Sequence, residues 1–478
     1  MVPQPSLPLF TDLYELTMAA SYFQHRRFAP ATFSLFVRQL PSDRGFLVAA
    51  GLEEVVRFLE DFSFSADDLA FLRQTDRFSP DFLDYLAHSR FTGEVYAMPE
   101  GRICFAHEPL VEITAPIIEA QLVETFVLNA VHLQTLIASK AARCFHAAQG
   151  RTLVDFALRR THGTDAGLKV ARASHLTGFN GTSNVLAGKL YGLPFMGTMA
   201  HSFVQSFDDE EAAFTAYAET FPDETALLID TYDTIAGARH AVHVGQALRQ
   251  QGHRLRGVRL DSGDLLTLSR ATREILDAAG LTDTRIYASG GLNEHEVARL
   301  VSAGAPIDVF GVGTDMGVSA DAPALDMAYK LVEYAGRPRL KLSSKKVSVL
   351  GKKQVFRVVD GQGWYERDWL GLRTERREEI APGIPPARVI PLLEPVMARG
   401  RLLRPLPPLR ESRALFLAGF AQLPEAHKVL RARTPYPVVL TPTLTRFQDE
   451  AVARLRARYA TSEEWSGPKF LSVERRRS

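Results

Sequence analysis

Only two of the 478 residues are cysteine, Cys104 and Cys144. That is too few for a disulfide framework, and no Cys/His cluster has zinc-ligand spacing, so both are expected as core thiols in a reducing compartment, with no structural metal. Tryptophan is scarce, 3 residues against 29 phenylalanines, and nothing in the composition is fibrous or disordered. Nowhere do about 18 apolar residues run uninterrupted, the length that spans a bilayer. Met1 to Phe10 has no basic region ahead of an apolar one, which argues against a secretory signal. A soluble, cytoplasmic protein with no membrane partner is expected. Charge of one sign is lacking too: 56 Lys and Arg stand against 55 Asp and Glu, a net +1. A phosphate-tracking nucleic-acid surface would be strongly basic, so any anion site must be local.

What the chain does have is size and order. At 478 residues with 46% hydrophobic and 23% charged side chains, it exceeds the range of one growing core, and two or three structural units follow. Thr11-Asp12 ahead of Leu13, Leu16 and Met18 predicts a capped helix running to about Phe23. Thr32 to Arg38 alternates as a strand does, and Gly51 to Phe62 reads as an amphipathic helix. Short apolar runs at Glu94 to Tyr96, Ile103 to Phe105 and Leu110 to Ile113 suggest an antiparallel meander, followed by one long helix from Gln121 to Ala148.

From Thr152 strands alternate with helices, the pattern of a parallel sheet covered by helices. The predicted strands are Leu153 to Ala157, Pro194 to Thr198, Leu227 to Ile229, Gly257 to Leu260, Arg285 to Ala288 and Asp308 to Gly311. Six such units favour a barrel. The expected division is an N-terminal α/β domain with a connecting helix (1–150), the barrel (151–340), a return to the first domain (341–400) and a C-terminal extension (401–478), with a last helix from about Thr445 to Tyr459.

Polar clusters follow the carboxyl ends of these strands, where barrel sites are built from the loops. Arg159-Arg160 suits bidentate capture of a carboxylate or phosphate; alone, such a pair is also an ordinary solvated rim. Thr198, His201 and Ser202 lie in a stretch of small residues with room for a ligand, although a lone loop histidine would read the same way. Arg259-Leu260-Asp261-Ser262-Gly263-Asp264 offers a cation and two carboxylates that can bind ribose hydroxyls or a Mg²⁺ bridging phosphates, or simply cap a helix. Ser289-Gly290-Gly291 and Gly313-Thr314 supply glycine-rich backbone for an anion nest. Gly311-Val312-Gly313 fails as a dinucleotide fingerprint, since Gly317 falls one residue beyond the third glycine. Together these clusters describe a pocket for a phosphorylated ribose.

With these residues in place, the chain resembles the nicotinate phosphoribosyltransferases from about Leu9 to Arg357. The strongest segments are Phe10-Thr11-Asp12-Leu13-Tyr14, Phe179 to Gly188, Gly197 to Ser202 and Arg259 to Asp264. The resemblance implies an irregular α/β barrel of the type II phosphoribosyltransferase kind with a second α/β sandwich domain, working as a homodimer with shared active sites. It implies transfer between nicotinate and phosphoribosyl pyrophosphate, with Mg²⁺ and with ATP as co-substrate, as the first step of NAD salvage from nicotinate.

By the same resemblance His201 is the histidine phosphorylated by ATP, with Arg259 and Asp261 beside it in the catalytic group and Asp261 a possible Mg²⁺ ligand. Tyr14 from the neighbouring subunit and Phe156 flank the pyridine ring, and Arg159, Arg160, Thr198 and Ser202 line the substrate site. Ser289, Gly290, Gly291, Gly313 and Thr314 match the 5′-phosphate loops. Ser183 stands where the nicotinamide enzyme places an aspartate; a carboxylate there would repel nicotinate, so the serine favours the acid over the amide. Quinolinate phosphoribosyltransferase shares the fold but works without ATP and leaves His201 unexplained. A phosphometabolite-binding barrel without turnover is the other class of reading. Ser343 to Lys346 and Gly351 to Gln354 resemble a basic stretch lining the nucleotide entrance, or form a solvated charge run; beyond about Pro382 no resemblance is found, and the cysteine-rich tail of some relatives is absent.

Overall fold

A computed structural model of the chain describes residues 7–341, 348–380, 383–431 and 434–459. Ser343 to Lys346 lie outside the described residues. The chain divides into two compact units, Leu136–Pro323 and a second made of Met1–Thr135 with Ala324–Ser478.

The unit Leu136–Pro323 holds a wholly parallel sheet in the order Gly181–Thr182, Thr152–Asp155, Val309–Val312, Arg285–Ala288, Gly257–Leu260, Ala226–Leu228. Each strand is short and its residues are mostly buried, as expected where helices cover the sheet. Pro194 to Thr198 is not a strand: it makes a single bridge, Phe195 to Thr182. Phe195 and Met196 are exposed, so the apolar residues that suggested a buried strand face outward instead. Among the described residues the ladder is not continuous between Phe195 and Ala226–Leu228, and the α/β barrel is irregular at that point.

The other unit is built from both ends of the chain, a mixed α/β layer arrangement. Its largest sheet runs Arg337–Pro338, Met327–Tyr334, Pro30–Val37, Pro109–Pro116, Glu94–Ala97, Glu394–Ala398, Arg401–Leu402. A four-stranded sheet runs Val389–Pro391, Lys353–Val359, Tyr365–Leu372, Val438–Leu440. The predicted meander is corrected: Ile103–Cys104 leaves its neighbours and pairs with Leu47–Val48. Pro30–Val37 is buried along almost its whole length instead of alternating. Its polar residues are satisfied inside, with the Ser34 hydroxyl donating to Glu112 at 2.6 Å and Thr32 bonded to Thr114 at 2.9 Å. The opening helix, Leu13–Gln24, has Asp12 at its cap position, but the Asp12 carboxylate accepts from Thr125 instead of capping.

The single long helix is also corrected, into Ile117–Leu122 and Glu124–Ala148. Gln121, Leu122 and Val123 are all buried, so the apolar pattern crosses the break without a gap. Cys104 and Cys144 are free and buried, and burial pushes both thiols up, away from the reactive thiolate. At Lys353 neither reading of the basic stretch holds. This residue is buried in Lys353–Val359, with its ammonium 2.8 Å from Glu112 and donating to Ser34 and the Gly351 carbonyl. Among the described residues no helix is long and apolar enough to cross a membrane.

Candidate active site

One side chain gathers the loops at the carboxyl ends of the parallel strands. Arg259, in Gly257–Leu260, donates from Nε to Ser289 Oγ at 2.8 Å, from Nη1 to Thr198 Oγ1 at 2.9 Å and to the Met199 carbonyl at 3.2 Å, and from Nη2 to Asp261 Oδ1 at 2.7 Å. Its guanidinium also lies 5.5 Å from the centre of the Phe156 ring. The planar fork of arginine suits this, since its donors point in several fixed directions at once. Ser289 completes the ring of contacts by donating to Asp261. Burial pushes the Asp261 carboxyl up, but hydrogen bonds from Ser289 and Arg259 outweigh it and hold the group below the ordinary carboxylate range.

His201 opens the one-turn helix His201–Val204. Its Nδ1 is bonded to Thr231 Oγ1 at 3.1 Å, while Nε2 lies 3.8 Å from Asp261 Oδ2 and the side chain stays 39% exposed. Nε2 is therefore the ring nitrogen left available. Ser202 beside it is exposed.

The glycine loops come next to this cluster. Gly290 has φ +82° and a Cβ there would sit 1.9 Å from the Asp261 carbonyl oxygen, so only glycine allows the two loops to touch. Gly291 continues in the left-handed region at φ +63°. Asn293 donates to Asp315 at 2.9 Å, tying this loop to the Gly313-Thr314 turn. Gly311, next to that turn, makes room for Phe156: a Cβ would meet the ring at 2.5 Å.

Ser183 is partly buried and its backbone N–H donates to the Asp155 carbonyl at 2.9 Å, which places it at the end of the strand that leads into Phe156. Arg159 and Arg160 sit exposed on the single turn Leu158–Arg160 and are not drawn into the Arg259 cluster. Tyr14 belongs to the other unit, 47% exposed on the first turn of Leu13–Gln24.

Four residues here escaped the reading of the sequence. Asp230 Oδ2 accepts from the Asp261 N–H at 3.0 Å and from Ser262 Oγ at 2.6 Å, while its Oδ1 is buried with no hydrogen-bond partner among the described residues. Thr231 holds His201. Both follow the strand Ala226–Leu228, so the strand-end rule that selected the other clusters could have found them. Asp155 and Thr182 form a buried pair, with Thr182 Oγ1 donating at 2.7 Å. Burial pushes the Asp155 carboxyl up to about 6, opposed only in part by the Ala157 N–H and the Thr182 hydroxyl. A carboxyl raised in the folded state adds stability that is complete below the ordinary range and is lost as pH rises through about 6. The melting temperature of the wild type relative to Asp155→Asn should accordingly rise between pH 7 and pH 5, and an unchanged difference would reject that assignment.

Comparison with known proteins bears on what this cluster is for. Residues 9–132 match the nicotinate phosphoribosyltransferase N-terminal domain, 151–354 the nicotinate phosphoribosyltransferase family and 352–448 its C-terminal domain. The chain belongs to the nicotinate phosphoribosyltransferase family. The third match corrects the expectation that resemblance ends near Pro382, since the family's C-terminal domain reaches 448. A nicotinate phosphoribosyltransferase of Mycobacterium tuberculosis is 54% identical over 398 residues, 83% of each chain. One from Bacillus subtilis is 43% identical over 384 residues, 78% of this chain and 77% of that one. The crystal structure of the human nicotinic acid phosphoribosyltransferase superposes with a TM-score of 0.82 at 33% identity, over 93% of this chain and 99% of that one.

Proposed function

We propose that this chain moves the phosphoribosyl group of phosphoribosyl pyrophosphate onto the ring nitrogen of nicotinate, releasing pyrophosphate, with ATP turned over through a phosphorylated His201. The observation that carries this reading is the single mouth in which Arg259 joins Thr198, Asp261, Ser289 and Phe156, with His201 alongside, in a chain of this family. The 5′-phosphate of the sugar goes to the backbone N–H groups of Ser289 to Gly291 and Gly313-Thr314, and Asp261, anionic at neutral pH, takes the ribose diol. Phe156 and the partner chain's copy of Tyr14 flank the pyridine ring. Ser183 and the arginines Arg159 and Arg160 receive its carboxylate.

As pyrophosphate departs, positive charge develops at the ribose C1. Positioning and the fixed charges do most of the work, and no protein nucleophile attacks carbon. The γ-phosphoryl group of ATP passes to His201 with release of ADP, its added charge lies beside Asp261 and reorders the surrounding loops, and water then cleaves the phosphohistidine to free phosphate and restore the imidazole.

Magnesium fits this mouth. Among the described residues no group of three or more His, Cys, Asp or Glu side chains is arranged for a metal, but Mg²⁺ commonly binds one or two carboxylates together with substrate phosphates and water. Asp230, with its buried and unpartnered Oδ1, and Asp261 are the residues that would hold it. When bound it would offset charge on the departing pyrophosphate.

A homodimer is supported by exposed apolar side chains in each unit: Leu7, Phe10, Leu13 and Tyr14 in one, and Val185, Leu186, Leu190 and Phe195 in the other.

The test is pyrophosphate release with phosphoribosyl pyrophosphate and Mg²⁺, comparing nicotinate, nicotinamide and quinolinate, each with and without ATP. Nicotinate-dependent release stimulated by ATP is expected. His201→Ala should lose that stimulation and keep a slow ATP-independent transfer; if it keeps full coupling, the phosphohistidine role is wrong. Preference for nicotinamide would reassign the base, and no release with any base would leave a binding barrel without turnover.

A further inference from the structure

Asp155 is a fully buried carboxylate that the mechanism above does not use, only 1% exposed at the end of the strand Thr152–Asp155. A buried carboxylate normally carries a cation or several hydrogen bonds. Asp155 has two donors and no ion pair among the described residues: the Ala157 N–H at 2.8 Å on Oδ1 and the Thr182 hydroxyl at 2.7 Å on Oδ2. Thr182 in turn accepts from the Asn184 N–H at 3.0 Å. Asn184 caps the helix Val185–Tyr191 through Ala187 and donates to the Gly167 carbonyl at 3.2 Å. The backbone repeats the link, since Ser183 N–H donates to the Asp155 carbonyl at 2.9 Å.

The position of these contacts in the chain gives them meaning. Phe156 lies between Asp155 and Ala157, both ends of one carboxylate hydrogen bond. Ser183 lies between Thr182 and Asn184, both members of the relay. The two residues assigned to the face and the edge of the pyridine ring are thus the two residues that this carboxylate brackets. Burial raises the carboxyl, so holding the anion here costs stability. Asparagine replaces it only if the Thr182 hydroxyl turns, since that hydroxyl would have to accept from the amide in place of donating while it already accepts from the Asn184 N–H.

We propose that Asp155 is a positioning residue for the nicotinate base, its two oxygens setting the placement of Phe156 against Ser183. The inference rests on the reading of Phe156 and Ser183 given above. Phe156 also meets the strand leading to Gly313, but through a backbone bond, its N–H to the Val312 carbonyl at 2.9 Å, which the side chains of Asp155 and Thr182 do not make, so the larger effect falls on the base. Loss of either hydrogen bond lets the Phe156 turn and the Ser183 turn drift apart, and the ring is held less well while the sugar donor binds as before.

The test is steady-state kinetics on the full chain with Asp155→Asn, Thr182→Val and Thr182→Ser, with melting temperatures measured alongside. The KM for nicotinate should rise roughly tenfold in Asp155→Asn and Thr182→Val, the size expected for one buried hydrogen bond. The KM for phosphoribosyl pyrophosphate and kcat should change less than about threefold on the same scale. Thr182→Ser keeps the hydroxyl and should restore the wild-type KM for nicotinate. Should Asp155→Asn fail to fold, the Thr182 pair decides alone. Equal rises in both KM values, or a lower melting temperature with both KM values unmoved, would overturn the proposal and leave Asp155 a structural residue. If the wild type shows no nicotinate-dependent turnover, the underlying reading fails first, and that failure is visible before any variant is compared.

Discussion

Arg259→Ala should lower kcat/KM by about 10³-fold, the scale of removing a preorganised charge from a reaction in which charge develops, while the melting temperature changes little. The large effect follows from connectivity. A single guanidinium holds Thr198 and the Met199 carbonyl from one loop, Asp261 from its own strand end and Ser289 from the next, and rests near the Phe156 ring. Removing it takes the guanidinium from Asp261 and releases Ser289, the first residue of the phosphate loop, together with it. Asp261 has further support, from Ser289 and through its backbone from Asp230, so the loop does not unfold. Arg259→Lys should recover only a small part, because an ammonium on a flexible stem cannot reproduce the fork that reaches three loops. Steady-state assays of both variants, with thermal melts as control, check this. A lysine variant within threefold of the wild type would show that Arg259 contributes charge and not geometry.

Asp261 and Ser289 were legible because each follows a strand whose apolar run is short and bounded by polar residues, and Arg259 because it lies in one of those strands; His201 was found even though the run ahead of it, Pro194 to Thr198, makes only a single bridge. The order of the chain then places their loops at one end of a parallel sheet. What was not legible depends on partners distant in sequence. Lys353 reads as part of a solvated charge run until Glu112, on another strand, is seen to bury it. Asp155 reads as the polar end of a strand, because nothing local reveals that Thr182 closes over it. Pro194 to Thr198 failed for the opposite reason: Phe195 and Met196 are apolar enough for a buried strand, yet both are exposed. Apolarity in a sequence records a preference for burial, and it reads the same way where the fold leaves the side chains exposed.

The second large effect lies away from the site, in the unit built from both chain ends. Arg357→Met should destabilise the protein by about 3–5 kcal/mol, the cost of leaving one member of a buried ion pair uncompensated, and lower the melting temperature by on the order of 10 °C. Arg357 is fully buried and faces Asp368 directly across two antiparallel strands. It donates from Nε to Oδ1 at 2.9 Å and from Nη2 to Oδ2 at 2.6 Å, and from Nη1 to the Ile103 carbonyl at 2.9 Å. The Tyr365 ring lies 4.3 Å and the Phe105 ring 5.3 Å from its guanidinium. Tyr436 donates to Asp368 at 3.1 Å, so residues near 103, 357, 368 and 436 are pinned at one point. Burial and the Asp368 charge push the neighbouring Glu108 carboxyl well up. The double variant Arg357→Met/Asp368→Asn should regain a large part of the loss, because replacing a buried pair as a unit removes the stranded charge as well as the attraction. A thermal-melt cycle over wild type, both single variants and the double measures this coupling directly. Additive losses in the double variant would mean that the aromatic packing around the guanidinium, and not the ion pair, holds the two chain ends together.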